Sequence, residues 1–234
     1  MASQVGIKVG NVAIGGGAPV VVQSMTLTPT RDVEATTAQI AALASAGCEV
    51  VRCAVPKTED AEALARIVRL SPIPVIADIH FNASLALKAI EAGVAAVRIN
   101  PGNIGGPDKV ELVVNAAKKA GIPMRIGANS GSLPKHLHDL AQADQAEALV
   151  AAAIEEVKLL ERLDYHDFKI SVKSTHVPTM IRAYRMLSAR VPYPLHLGVT
   201  EAGTPFAGSI KSAVGIVFVV LLFVIGLSND IGRL

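Results

Sequence analysis

The sequence contains no tryptophan, and aromatic residues make up only 3% of its 234 positions. A core without large rings must be filled by Ala, Val, Ile and Leu, which suits helices packed over a parallel sheet buried on both faces. Cysteine is nearly as scarce. Cys48 and Cys53 are the only two, too few for a disulfide framework and not spaced as Cys-x-x-Cys. Both lie in an apolar stretch and are expected to be core thiols. An excess of one charge is lacking too. The 22 Lys+Arg and 20 Asp+Glu leave a net charge of +2, which excludes the strongly basic balance of a nucleic-acid-binding protein. With 51% hydrophobic and 18% charged residues, intrinsic disorder is excluded as well. The N-terminus shows no basic start, apolar core and cleavage site of a signal peptide, so a cytoplasmic setting is expected.

What is present is a repeated grammar. Residues 20–25, 49–55, 74–80, 95–100, 123–129, 168–174 and 194–200 read as strands, most of them nearly continuous apolar runs. Between them lie Ala-rich helical stretches at 35–46, 59–70, 84–92, 108–120 and 143–163. Several of these end at Ala-Gly (Ala46-Gly47, Ala92-Gly93, Ala120-Gly121) just before the next strand. Successive βαβ units follow, and the spacing predicts an α/β fold, a TIM-type (β/α)8 barrel incomplete at its eighth strand. Gly15-Gly16-Gly17 precedes the first strand, so it is a turn and not a dinucleotide fingerprint. Residues 5–9 and 12–14 predict a small hairpin that plugs the barrel floor. The expected division is a barrel with its hairpin over 1–212 and an atypical apolar tail over 213–234. Within that tail, 213–227 is almost wholly apolar, shorter than a transmembrane helix needs and without the polar face of a soluble one.

In such a barrel the chemistry sits at the C-terminal ends of the strands. Those positions hold Arg52, Asp78, His80, Arg98, Arg125, Asn129, Lys173, His196, Thr200 and Glu201. Charged residues inside apolar strands are costly to bury without partners. Arg52, Arg98, Arg125 and Lys173 converging on one mouth exceed what Asp78 and Glu201 can neutralise, and a dianionic or more highly charged ligand would balance them. Arg forks and a Lys point charge are the usual means of holding phosphate oxygens. Any single one of these arginines could equally be a structural ion pair. The Asn- and Gly-rich loop 100–106 is either a tight turn or a backbone cradle for phosphate. His80 and His196 have no carboxylate at ligand spacing and are expected to hydrogen-bond substrate or its neighbours. His136 and His138 are expected to be exposed loop residues, and no metal site is predicted.

Taken together, these strings resemble the barrel of the 4-hydroxy-3-methylbut-2-en-1-yl diphosphate synthase family of the non-mevalonate isoprenoid pathway. The matching strings include Gln23-Ser24-Met25-Thr26, Val51-Arg52, Ala77-Asp78-Ile79-His80-Phe81, Arg98 through Gly105 and Arg125-Ile126-Gly127. Asn129-Ser130-Gly131-Ser132-Leu133, Ser171-Val172-Lys173 and His196-Leu197-Gly198-Val199-Thr200-Glu201-Ala202-Gly203 follow in the same order. The resemblance implies a reductive ring opening of 2-C-methyl-D-erythritol 2,4-cyclodiphosphate to 4-hydroxy-3-methylbut-2-enyl diphosphate. It assigns Arg52, Arg98, Arg125, Asn129, Lys173 and Thr200 to the diphosphate and sugar hydroxyls. Asp78 and Glu201 become the carboxylates nearest the reacting carbons, with Glu201 the proton donor. It also implies a [4Fe-4S] cluster, ferredoxin or flavodoxin as electron donor, and a homodimer in which the cluster of one chain caps the barrel of the other.

The sequence departs from the family in several places. The family binds its cluster through three Cys and a Glu in a separate C-terminal domain that nothing here matches, and Cys48 and Cys53 cannot replace it. The eighth strand, with an Arg and a Ser near the substrate, is missing, and the resemblance ends near Gly215. Smaller differences lie at Leu27, Pro29 and Ser174-Thr175-His176. The chain alone is therefore expected to lack reductase activity. Three competing readings are an aggregation-prone open barrel, a metal-free phosphate-substrate barrel of the dihydropteroate-synthase type, and a form anchored to a membrane through 213–227.

Overall fold

Alternating short apolar runs and Ala-rich stretches become successive βα units in the computed structural model, which describes residues 3–199 and 203–224. A hairpin of β1 (Gly6–Val9) and β2 (Val12–Gly15) opens the chain, and a parallel sheet of six strands follows. Its members are β3 (Gln23–Met25), β4 (Val50–Ala54), β5 (Val75–Asp78), β6 (Ala96–Arg98), β7 (Met124–Asn129) and β8 (Phe168–Lys173). They pair strictly in chain order, as right-handed crossovers through helices demand. The helices are α1 (Val33–Ser45), α2 (Thr58–Leu70), α3 (Ala83–Glu91), α4 (Pro107–Ala120), α5 (His138–Ala143), α6 (Gln145–Arg162), α7 (Val177–Arg190) and α8 (Pro205–Val224). The sheet curls into a partial barrel.

Local chemistry fixes the helix ends. Asp32, Asn82 and Asp144 cap α1, α3 and α6 by accepting backbone N–H groups. The helix expected over 143–163 is α6, which begins just after its cap Asp144, and the short α5 precedes it. Gly121 ends α4 in the left-handed conformation, φ 64°.

Period-two alternation then sorts the strand side chains. Val51, Cys53, Ala77, Val97, Ile126, Ile170 and Val172 face outward into the main core beneath the helices. At the N-terminal end of the lumen, Val9 of the hairpin packs on Val50, Ile76 and Ala96. The hairpin thus plugs the floor, as expected. Cys48 and Cys53 are both free and buried.

Two strands are shorter than the sequence predicts. The strand expected at 20–25 begins only at Gln23, because the Val22 N–H bonds the Glu49 carboxylate at 2.8 Å and Val20 and Val22 stay exposed. The strand expected at 194–200 reduces to one bridge, Leu195 on Ile170. Two hydrogen bonds hold it, from Ile170 N to Pro194 O at 2.9 Å and from His196 N to Ile170 O at 2.7 Å. Pro192 and Pro194 have no N–H to donate, and among the described residues no strand pairs with the other edge of this segment.

The expected boundary at 212/213 falls within α8, which packs on α7. A Cβ at Gly215 would lie 2.8 Å from Met180, and Val219 is fully buried. Phe206, Ile210, Val214 and Val217 form an exposed stripe on α8. No helix among the described residues is long and apolar enough to cross a membrane.

Candidate functional site: a cationic barrel mouth

One inward step above the apolar floor, the lumen becomes charged. Val50 gives way to Arg52 on β4, Ile76 to Asp78 on β5, and Ala96 to Arg98 on β6. Arg125 and Asn129 share the inner face of β7 with Gly127 between them, while Lys169, Ser171 and Lys173 share that of β8. The register sets Asp78 beside Arg98, Arg98 beside Arg125, and Asn129 beside Lys173.

Asp78, 3% exposed, is the hub. Its Oδ1 accepts a hydrogen bond from Arg98 at 3.0 Å and lies 3.4 Å from His80 Nε2, while its Oδ2 lies 3.3 Å from Arg52 Nε. Burial works against this carboxylate, but the fields of Arg52, Arg98 and His80 outweigh it and hold Asp78 below the usual range. His80 therefore does have a carboxylate neighbour, contrary to the sequence reading. His80 lies two residues beyond Asp78, just past the end of β5, and its ring reaches back to that carboxylate.

The remaining cations have no such partner. Arg125, 3% exposed, donates to the Ser171 hydroxyl, and its Nε is buried without an acceptor. Burial first, then Arg98 and Arg52, lower it to about 9. Lys173 is lowered to about 7 by burial and by Arg125, Arg52 and Arg98. His196 is driven well below its ordinary value by burial and by Arg125, Lys169 and Lys173, so it stands neutral among cations. Tyr184 Oη fixes its backbone by donating to the His196 carbonyl at 2.5 Å. The Asn129 Oδ1 is buried without a partner. Behind β7, the Glu156 carboxyl of α6 is raised to about 7 by burial, against the pull of Arg125 and Arg98.

Sequence reasoning missed Lys169. It is 3% exposed and donates to the Gln23 Oε1 at 3.0 Å, across the lumen from the sixth strand of the sheet to the first. The signal was present, because Lys169, Ser171 and Lys173 alternate with Phe168, Ile170 and Val172 and so share the inner face.

The described lumen thus gathers Arg52, Arg98, Arg125, Lys169 and Lys173 around a single carboxylate, Asp78. Such an arrangement can accept a compact polyanion and screen it from water. Of the predicted site residues, Thr200 and Glu201 lie outside the described residues. In the loop after β6, Asn100 Oδ1 accepts the Gly102 N–H at 3.0 Å and Asn103 N donates to the Asn100 carbonyl at 2.9 Å, so Asn100 is used in shaping the turn. His136 lies exposed against Glu155 at 2.9 Å.

An iron–sulfur cluster does not fit these residues. Cys53 is wholly buried facing the helices, Cys48 donates to the Val50 carbonyl, and no three His, Cys, Asp or Glu among the described residues converge on a common point.

Comparison with known proteins agrees with this architecture. The Yersinia pestis dihydropteroate synthase superposes with a TM-score of 0.66 at 13% identity, covering 94% of this chain and 89% of that one. The 3-dehydroquinate dehydratase of Geobacillus kaustophilus gives 0.65 at 15% identity, with 92% and 85% coverage. At such identities the likeness concerns the fold alone. In sequence, the chain is 57% identical over 210 residues to the 4-hydroxy-3-methylbut-2-en-1-yl diphosphate synthase (flavodoxin) of Clostridium perfringens, covering 90% of this chain. The enzyme of the same name from Geobacter sulfurreducens matches equally, and the chain spans 60% of the length of each. Residues 4–230 match the model of the GcpE TIM-barrel domain, and the chain belongs to that family.

Proposed function

We propose that this chain is the substrate-binding barrel, over residues 1–212, of a 4-hydroxy-3-methylbut-2-en-1-yl diphosphate synthase, and that its lumen holds 2-C-methyl-D-erythritol 2,4-cyclodiphosphate. The observation that carries this reading is the gathering of five basic side chains, three Arg and two Lys, around one carboxylate in the lumen. A diphosphate supplies the missing negative charge. Arg52, Arg98, Arg125 and Lys173 grip its oxygens, with Asn129 and Thr200 on the remaining oxygens and hydroxyls. Asp78 orients Arg52 and Arg98 and stands with Glu201 beside the reacting carbons, where Glu201 donates the proton.

Ring opening to 4-hydroxy-3-methylbut-2-enyl diphosphate also needs two electrons. The described residues offer no ligand set for a redox centre. The [4Fe-4S] cluster and its donor, flavodoxin or ferredoxin, must therefore act from outside this segment, with the cluster domain of a homodimer partner a suitable source. Alone, the chain binds substrate without turning it over. Its exposed α8 stripe and the unpaired edge of the 194–199 segment support a second reading, an open and self-associating fragment.

Calorimetric titration with the cyclic diphosphate separates the two. Saturable binding that weakens at least ~100-fold in Arg98→Ala/Lys173→Ala is the expected result, since each charge-assisted contact contributes about 1.5–3 kcal/mol. A folded, soluble chain that takes up no ligand would leave the fragment reading.

A further inference from the structure

The lumen contains one strongly buried amine that the binding scheme above does not use. Lys169 sits below Ser171 on the inner face of β8, and its Nζ donates to Gln23 Oε1 at 3.0 Å. An ammonium has three protons to donate, and no carboxylate among the described residues lies within ion-pair distance of this one. The groups that face it are cations or neutral. Arg125 comes from β7, Arg52 from β4, His196 from the segment after α7, and Lys173 from its own strand. Asp78 is already engaged by Arg52 and Arg98, and Glu156 stands on α6 behind β7. Gln23 is the only hydrogen-bond partner the described structure gives this amine. Its amide oxygen accepts equally well from –NH3⁺ and –NH2, so it holds the nitrogen in place in either state without fixing the charge.

We infer that Lys169, anchored to Gln23 across the lumen, is the floor of the anion site and takes up a proton when a polyanion enters the mouth above it. The inference rests on the anion-binding reading. In the empty lumen, burial and then the fields of Arg125 and Arg52 hold the amine at about 7. A dianion seated against Arg125 and Arg52 cancels those fields and adds an attraction of its own. The neutral amine then gains one proton from solvent and becomes the ammonium, with no other reactant required. Lys169 is on this account a positioning residue. It sets how deep the anion sits and makes affinity depend on pH without touching the reacting atoms.

The test is calorimetric titration at pH 8 with the cyclic diphosphate, in buffers of differing ionisation enthalpy. Each phosphorus of that ligand bears one ester and the shared anhydride oxygen, leaving a single strongly acidic oxygen. The ligand therefore carries no group titrating near neutrality, and any proton taken up goes to the protein. Lys169→Met should bind the anion with about one proton fewer than the wild type, and its affinity should fall with pH less steeply by about tenfold per pH unit above pH 7. Gln23→Glu, which keeps Lys169 charged in the free chain, should lose the same proton while retaining the lysine. Equal uptake in wild type and Lys169→Met, or uptake that disappears only in Lys173→Met, overturns the inference and leaves anion binding standing. Absence of binding by the wild-type chain overturns both.

Discussion

The floor and the mouth of the lumen are built by the same strands, two residues apart, and share almost nothing chemically. Val50, Ile76 and Ala96 close on Val9 of the hairpin, while Arg52, Asp78 and Arg98 on the same faces are charged. One inward step, about 7 Å along a strand, separates a region that stabilises the fold from one that strains it. On the proposed function, stability and binding occupy separate layers here, so that each can be altered without the other.

Asp78 is the exception, being a mouth residue on which the fold depends. Asp78→Asn should cost about 3 kcal/mol, the largest effect on stability, because it leaves Arg52 and Arg98 without their buried partner; chemical denaturation would read it. The same logic has a pH form. Asp78 is held below its usual range, so its contribution is present above pH ~4 and disappears as pH falls through the lowered value. On the floor, Val9→Ala should lose about 2 kcal/mol by leaving a cavity, with affinity for the cyclic diphosphate unchanged. An affinity loss in Val9→Ala would show that the two layers are coupled.

A smaller effect comes from the empty mouth itself. Lys169 and Lys173 titrate near 7 when folded and near 10.5 when unfolded, so the unfolded chain binds more protons between those values. Stability should therefore rise with pH across that window. Thermal unfolding should show a higher Tm at pH 9 than at pH 7, with the rise reduced when ligand is bound. Phe81, exposed on the rim, makes the smallest prediction: Phe81→Ser should change stability by no more than about 0.5 kcal/mol.

Most of the barrel was legible because its signals are local. Strand alternation, Asp and Asn caps and helix-ending glycines each act over a few residues, and the six ladder strands all fall within the expected runs. The mouth arginines were legible for a related reason, since a charge inside an apolar strand announces itself. Distances between strands were not. Lys169 and Gln23 lie 146 positions apart, and only closure of the sheet brings them together. The seventh strand failed for the converse reason. Residues 194–199 have the composition of a strand, but Pro192 and Pro194 have no N–H to donate and among the described residues only β8 pairs with them, so the ladder stops at one bridge.

Gly127 carries a further cost of that closure. A Cβ at this position, φ 142°, would overlap the Ser171 carbonyl of β8, so the approach of β7 to β8 leaves no room for any side chain between Arg125 and Asn129.

The hairpin at the floor has a consequence for traffic. With β1 and β2 covering the N-terminal end, nothing passes through the lumen from below, and arriving and departing molecules share the mouth. A molecule released from such a site competes with its own successor for the same opening, so inhibition by product should be competitive with substrate in any assembly that uses this barrel.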